Sequence, residues 1–402
     1  MGLVVQKFGG SSVGDIDKIK NVAYRVIEES NQGHQVVVVV SAMGDLTDEL
    51  IALARQTGPN QSEREMDMLL TTGEQQSAAL LAMTLNNMGC AAVSLTGWQG
   101  GVATEQVHSK ARITDIKPDR IEKELTQNKI VIIAGFQGLS PNGEITTLGR
   151  GGSDTTAVAL SAVLKADICD IYTDVEGVYT ADPRLVPDAK KLEFVSYDEM
   201  LELASLGAGV LQPRAVEFAM QHNVRIQVRS SFKMEPGTLV VEGGKMESNR
   251  IVTGVAHDLN VAKLALFDVP DQPGIASTIF QALAEASINV DMIVQADMRD
   301  GRNDIAFTVC KDDLHLALPV VERVAKDIGA SGTSCGQDLA KISIVGAGMT
   351  SNPGVAATMF AILADENINI HMISTSEIKV SCVIDAPLIN AAINAIHKRF
   401  NL

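Results

Sequence analysis

Several short segments place charged and hydroxyl side chains where the chain leaves an apolar run. Lys7 ends one such run, followed by Gly9, Gly10, Ser11 and Ser12. Glycines let backbone N–H groups approach an anion, a helix start adds positive potential and the lysine adds a full charge, so the segment suits a phosphate. A plain strand-turn-helix corner would carry the same residues. The segment TLGRGGSDTTAVALSAVL is more specific, because Arg150 sits among Gly149, Gly151 and Gly152. Ser153 or Asp154 can cap the following helix, but capping does not account for the arginine, whose rigid fork suits a carboxylate or phosphate. In IYTDVEGVYTADPR, Thr173 and Asp174 close an apolar run, and Tyr179, Asp182 and Arg184 lie in the turn-rich stretch beyond it. SAMGDLTDEL carries Ser41 and Thr47, and LLTTGEQQS carries Glu74; each alone reads equally well as a helix cap. Neither glycine loop has the Walker or dinucleotide-binding spacing, and the protein-kinase signatures are absent.

Such groups act only if a frame brings them together. LVVQKF, the helical pattern DIDKIKNVAYRVIEES, QVVVVVSAM and a helical stretch from Thr47 alternate along the chain. Further strands are expected at AAVSLT, KIVIIAGF, ICDIYTDV and VRIQVRS, and helices near Glu63 to Met88, Asp154 to Lys165, Ser196 to Leu206 and Pro213 to Gln221. That alternation, with continuous Val/Ile strands, predicts an α/β fold whose mostly parallel sheet is covered by helices on both faces. Ligands of such sheets bind at the carboxyl ends of strands, where the segments above lie.

At 402 residues the chain is long enough for two or three domains. The Gly-rich run PGTLVVEGGKMESN marks a boundary, and the chain beyond it contains an internal repeat. A shift of 80 residues aligns PGIASTIFQALAEASINVDMI, from Pro273, with PGVAATMFAILADENINIHMI, from Pro353, with 11 identities in 21 positions. Each copy reads as strand, Pro-Gly turn, helix, strand, strand, helix. The second copy stops one strand short of a βαββαβ unit, and IVTGVAH at 251–257 is the expected missing strand, which would insert the first copy within the second.

Composition narrows the function classes. With 46% apolar and 20% charged residues the chain is globular rather than disordered. A net charge of -16 repels polyanions, so nucleic acid is not an expected partner. No apolar run approaches a membrane span, and no secretory leader is visible, so a cytoplasmic protein without membrane association is expected. The 5 cysteines are scattered and are expected to be buried free thiols.

Taken in order, KFGGSS, SAMGDLTDEL, LLTTGEQQS, TLGRGGSDTTAVAL and IYTDVEGVYTADPR resemble the aspartokinases, members of the amino-acid-kinase fold, and the repeat resembles their paired ACT regulatory domains. The resemblance is to the shorter, monofunctional bacterial type. It implies transfer of the ATP γ-phosphoryl, with Mg²⁺, to L-aspartate, giving 4-phospho-L-aspartate for lysine, threonine and methionine synthesis. It implies a catalytic domain over 1–240, a linker with the completing strand over 241–262, and ACT domains over 263–338 and 339–402. By position it assigns Lys7, Phe8, Gly9, Gly10, Ser41, Thr173, Asp174, Tyr179 and Arg184 to ATP, and Thr47, Glu74, Arg150, Gly151, Gly152 and Ser153 to aspartate. Lys7 and Asp154 become the catalytic pair. Where the family carries a lysine that reaches nucleotide, this chain has Gly209. Relatives that start a separate regulatory subunit internally imply a second product from Met246, and hence an α2β2 assembly in place of a homo-oligomer.

The resemblance also implies feedback inhibition by threonine, lysine or both. The Pro-Gly turns present N–H groups at helix starts, suited to a free carboxylate. Candidate effector residues are Asp271, Gly274, Ile275, Ala276, Asn289, Asp291 and Gln295 in the first copy. Val355, Asn369, Ile370, Ser374, Ser376 and Glu377 are their counterparts in the second. Two other readings stay open at this point: a kinase for glutamate, acetylglutamate or carbamate, and a non-catalytic amino-acid sensor.

Overall fold

The Val36–Val40 run is at most 2% exposed at every position, as a strand covered on both faces must be. In the computed structural model, which describes residues 2–206, 210–243, 250–296, 301–349 and 351–402, this run lies inside an eight-stranded sheet. The strand order is Phe194–Ser196, Thr238–Val241, Ile226–Ser230, Ile168–Thr173, Leu3–Phe8, Gln35–Val40, Ile130–Ala134, Ala92–Leu95. Among the described residues only the Ile226–Ser230 and Thr238–Val241 pair of this sheet is antiparallel. The chain divides into two compact units, and this sheet belongs to the first, made of Met1–Val178, Lys191–Ser205 and Gly209–Glu247.

Alternation along Leu3–Phe8 decides what each residue can do, because successive side chains point to opposite faces. Phe8 falls on the face that packs with Val22 and Val26 of helix Ile16–Asn31 and Leu81 and Leu85 of helix Glu63–Asn87. Lys7 therefore faces the other way, toward helix Gly152–Leu164, whose neighbour is helix Pro213–His222. A second, four-stranded sheet orders Ile113–Ile116, Val102–Thr104, Gln137–Leu139 and Ile145–Thr147. Its last strand delivers the chain directly into the Arg150 loop.

The second unit takes Tyr179–Lys190, Leu206–Ala208 and Ser248–Leu402. Its sheet is antiparallel throughout, in the order Val290–Gln295, Arg302–Cys310, Gly254–Pro270, Gly332–Val345, Lys379–Asp385, Met372–Thr375. Two long strands each serve both copies of the repeat. Gly254–Asp258 pairs with Lys341–Val345, and Val261–Phe267 pairs with Gly332–Leu339. Helices Ile275–Glu285 and Leu314–Asp327 cover one apolar cluster, and Val355–Asp365 and Ile389–Arg399 cover another.

The cysteines are free thiols, but they are not all buried: Cys169 and Cys382 are, whereas Cys310 and Cys335 are exposed. Cys310 ends its strand, and Cys335 sits in the polar half of Gly332–Val345, where most side chains meet water. Among the described residues no helix is long and apolar enough to cross a membrane.

Candidate active site

Lys7 Nζ lies 2.6 Å from Asp154 Oδ1, with the two side chains 11% and 10% exposed. Asp154 stands in the first turn of helix Gly152–Leu164, where the helix dipole favours its negative charge. Above Lys7 the chain turns through Gly9 and Gly10 against the Ser41–Gly44 turn. A Cβ on Gly10 would meet the carbonyl oxygens of Ala42 at 2.9 Å and Gly44 at 3.0 Å, so glycine is needed for that close approach. Backbone bonds tie the two turns together: Ser41 N–H donates to Phe8 O and Gly44 N–H to Gly10 O.

Glu74 is carried by the long helix Glu63–Asn87 and is 4% exposed. One carboxylate oxygen, Oε1, accepts the Ala42 N–H at 3.2 Å, while Oε2 has no partner among the described residues. Burial pushes its pKa from 4.5 up to about 7, against the pull of its backbone hydrogen bonds. Arg150 is exposed on its loop and has no partner among the described residues. The loop turns through Gly149 at φ 76° and Gly151 at φ 70°, conformations that side chains disfavour. Lys7, Gly9, Gly10, Ser41, Thr47, Glu74, Gly151, Gly152, Ser153 and Asp154 line one cavity of about 330 Å³ together with Arg150.

Other expected site residues are not among those that line this cavity. The Phe8 ring is fully buried and stacks on Tyr172 at 4.5 Å, so only its backbone can serve a ligand. Thr173 and Asp174 end the strand beside Lys7, with the Thr173 hydroxyl donating to Asp174 at 3.1 Å, and neither lines the cavity. Tyr179 and Arg184 belong to the second unit, where Arg184 grips Asp182 through both carboxylate oxygens. Gly209 and Met246 lie outside the described residues. Among the described residues the cavity thus offers a partnered cation-anion pair, an unpartnered carboxylate oxygen, an unpartnered guanidinium and two glycine turns. These groups can receive a zwitterion bearing a second acidic group, next to a phosphate.

The amino acid kinase family profile matches residues 2–230, and ACT domain profiles match 264–329 and 342–400. An aspartokinase of Bacillus sp. (strain MGA3) is 54% identical over 402 residues, spanning 100% of this chain and 98% of that protein. The chain belongs to the aspartokinases. Among solved structures, the aspartate kinase of Synechocystis is 48% identical, at a TM-score of 0.56 over 100% of this chain and 69% of that one. E. coli aspartokinase III, in complex with lysine and aspartate, is 26% identical at a TM-score of 0.78, over 99% of both chains.

In this aspartokinase the second unit has a cavity of about 410 Å³ under the first Pro-Gly turn, lined by Asp271, Gly274, Ile275, Ala276, Gln295 and Asn303 among others. Asn303 was not visible as a candidate, being on a neighbouring strand far along the chain. It is 6% exposed, donates to Asp271 at 3.2 Å and leaves its amide oxygen without a partner among the described residues. Asn289 is exposed and outside the cavity, and Asp291 is instead the partner of the buried Lys341. In the second copy Val355 and Ile370 join the apolar cluster, Ser376 closes the hairpin to Lys379, and Asn369 and Glu377 are exposed. Ser374 is half-buried, on the edge strand.

Proposed function

We propose that the 330 Å³ cavity is where this aspartokinase phosphorylates the β-carboxylate of L-aspartate, and that Glu74 and Arg150 hold the substrate by its two α-groups. The observation that carries this reading is the Glu74 oxygen left without a partner in a cavity shared with an unpaired arginine. A buried acceptor is costly to leave unmet, and an α-ammonium would meet it. Arg150 would take the α-carboxylate bidentately, with Thr47 and Ser153 supplying hydroxyls. Lys7 sits where charge on a transferring phosphoryl group can be neutralised, and Asp154 holds that lysine in place.

The phosphoryl donor in this reading is ATP with Mg²⁺. The fit rests on the Gly9–Gly10 turn that lines the cavity and on Lys7 as the adjacent charge. Among the described residues no group of three His, Cys, Asp or Glu could hold a metal by itself, so phosphate oxygens would supply much of the coordination. When bound, the ion supplies charge neutralisation. The reaction forms a bond from a β-carboxylate oxygen to phosphorus and breaks the bond to ADP. The carboxylate, with a reference pKa near ~3.9, is already ionised, so no base is required. Catalysis is then positioning plus electrostatics.

Feedback control by lysine, threonine or both belongs to the same reading, supported by the 410 Å³ cavity at the first ACT turn and by the lysine in the E. coli structure. Assembly would proceed through the ACT sheet edges, as a homo-oligomer or, with a product from Met246, as α2β2. The test is ADP release over a panel of aspartate, glutamate, acetylglutamate and carbamate, with hydroxylamine trapping of the acyl phosphate. Aspartate alone should give both ADP and a hydroxamate. Turnover of another acid at a higher rate would overturn the assignment.

A further inference from the structure

Asp67 is fully buried and takes no part in the site as proposed. Its carboxylate accepts the Thr147 hydroxyl at 2.6 Å and the Ser109 N–H at 3.1 Å, and lies 2.7 Å from His108 Nδ1. It stands on helix Glu63–Asn87, seven positions before Glu74, hence on the same face about 10 Å along the axis.

What Asp67 holds is the root of the Arg150 loop. Thr147 ends the strand that runs through Leu148 and Gly149 to Arg150. The segment from Ser109 to Ala111 backs it: Ala111 N–H donates to Thr147 O at 2.9 Å, and a Cβ on Gly149 would meet Ser109 O at 3.0 Å. Arg214 bridges the same two segments, donating to the carbonyls of Leu148 and Ala111 at 2.8 Å each. Its neighbour Gln212 fills the space where a Gly151 side chain would stand.

We infer that Asp67 is a positioning residue for the amino-acid substrate. Together with Arg214 it fixes the Arg150 loop to the helix that carries Glu74, so that the receptors for the α-carboxylate and the α-ammonium are spaced by one rigid element. The inference rests on Arg150 and Glu74 binding aspartate, as proposed above. A misplacement of an ångström at a receptor group is enough to lose about 100-fold, so a loop anchor acts strongly on one substrate and weakly on the other.

Full-length Asp67→Asn, Arg150→Ala and the double variant decide it, through steady-state kinetics in both substrates and thermal melting. Asp67→Asn should raise the aspartate KM about tenfold or more, with the ATP KM and kcat changed by less than about twofold. On the Arg150→Ala background the same change should add less than about twofold, because the group it positions is gone. A full effect on that background, or an equal rise in the ATP KM, overturns the inference. An unchanged aspartate KM in Arg150→Ala overturns instead the reading on which it rests. If Asp67→Asn fails to fold, Thr147→Val, which exchanges the hydroxyl for a methyl, and Arg214→Lys, which can reach only one carbonyl, should show the same split in smaller measure. Neither shifting the aspartate KM also sinks the idea.

Discussion

On the proposed reading Glu74 does two opposed things: it stays buried without a cation while the site is empty, and is ionised once an ammonium arrives. Burial holds its pKa at about 7, so below that pH the empty site mostly keeps a proton. Aspartate binding must therefore expel that proton below pH 7, and affinity should fall up to tenfold per pH unit as the pH drops from about 7 to 5.5. Above pH 7 it should level off. Calorimetry in buffers of different ionisation heat checks this: proton release at pH 6.5 in wild type, and none from this group in Glu74→Gln. The same shift acts on stability in the opposite sense to most carboxylates. Between pH 4.5 and 7 the folded chain keeps a proton the unfolded chain has lost, so this group's cost to stability grows as the pH rises through that window. Lys7 has a different character, since its partner Asp154 is already in place. Lys7→Ala should lower kcat by about 10²- to 10³-fold with a smaller change in the aspartate KM, as expected for a charge used mainly in the transition state. A purely KM effect would remove it from the transfer step.

At the scale of elements, glycine loops and helix starts set the geometry, and two glycines separate strain from collision. Gly274, at φ 99°, has no atom of the described residues within 4 Å of where a Cβ would stand, whereas Gly151, at φ 70°, would drive a Cβ to 1.9 Å from the Gln212 side chain. Gly274→Ala should thus cost only the backbone preference, about 1 to 2 kcal/mol. Gly151→Ala adds a rearrangement of the Arg150 loop and should lose aspartate use as well as stability; chemical melts alongside kinetics distinguish them. Much of this frame was legible from the chain. The buried Val/Ile strands and the long helices fell within a few residues of where periodicity places them, as Pro213–His222 does against Pro213 to Gln221. Three kinds of feature were not. Strands of three or four residues, such as Val102–Thr104 and Gln137–Leu139, are too short to show a period. The polar half of Gly332–Val345 lacks alternation because its stability comes from pairing with Val261–Phe267. Asp67 was invisible because an acid within a helix reads as a surface residue until its partners, Ser109 and Thr147, are brought to it. The active-site constellation was legible only as separate loops; strand alternation and the sheet order are what gather Lys7, Glu74 and Arg150 into one cavity.

At the scale of the whole molecule, the cavity proposed for transfer and the ACT sheet belong to different compact units, so any control of one by the other is a coupling free energy between two sites. The cavity under the Pro-Gly turn of the first ACT copy has the marks of an amino-acid receptor: helix-start N–H groups, Asp271, Gln295, and an Asn303 oxygen without a partner. Asp291 is a poor probe of that receptor, because its removal would strand the buried Lys341, and a loss of binding would then report unfolding. Asn303→Ala and Gln295→Ala are the better variants. Wild type titrated with lysine and with threonine should bind at least one of them, and both variants should weaken that binding while leaving kinase activity without effector close to wild type. Coupling of about 1 to 3 kcal/mol would appear as a roughly 5- to 150-fold rise in the aspartate dissociation constant at saturating effector. Linkage fixes a second number: saturating aspartate must weaken the effector by the same factor, measured in the reverse titration. Binding that shifts neither constant would make the ACT cavity a storage or assembly site and detach it from catalysis. No binding of either amino acid, with the kinase intact, would end the regulatory reading altogether.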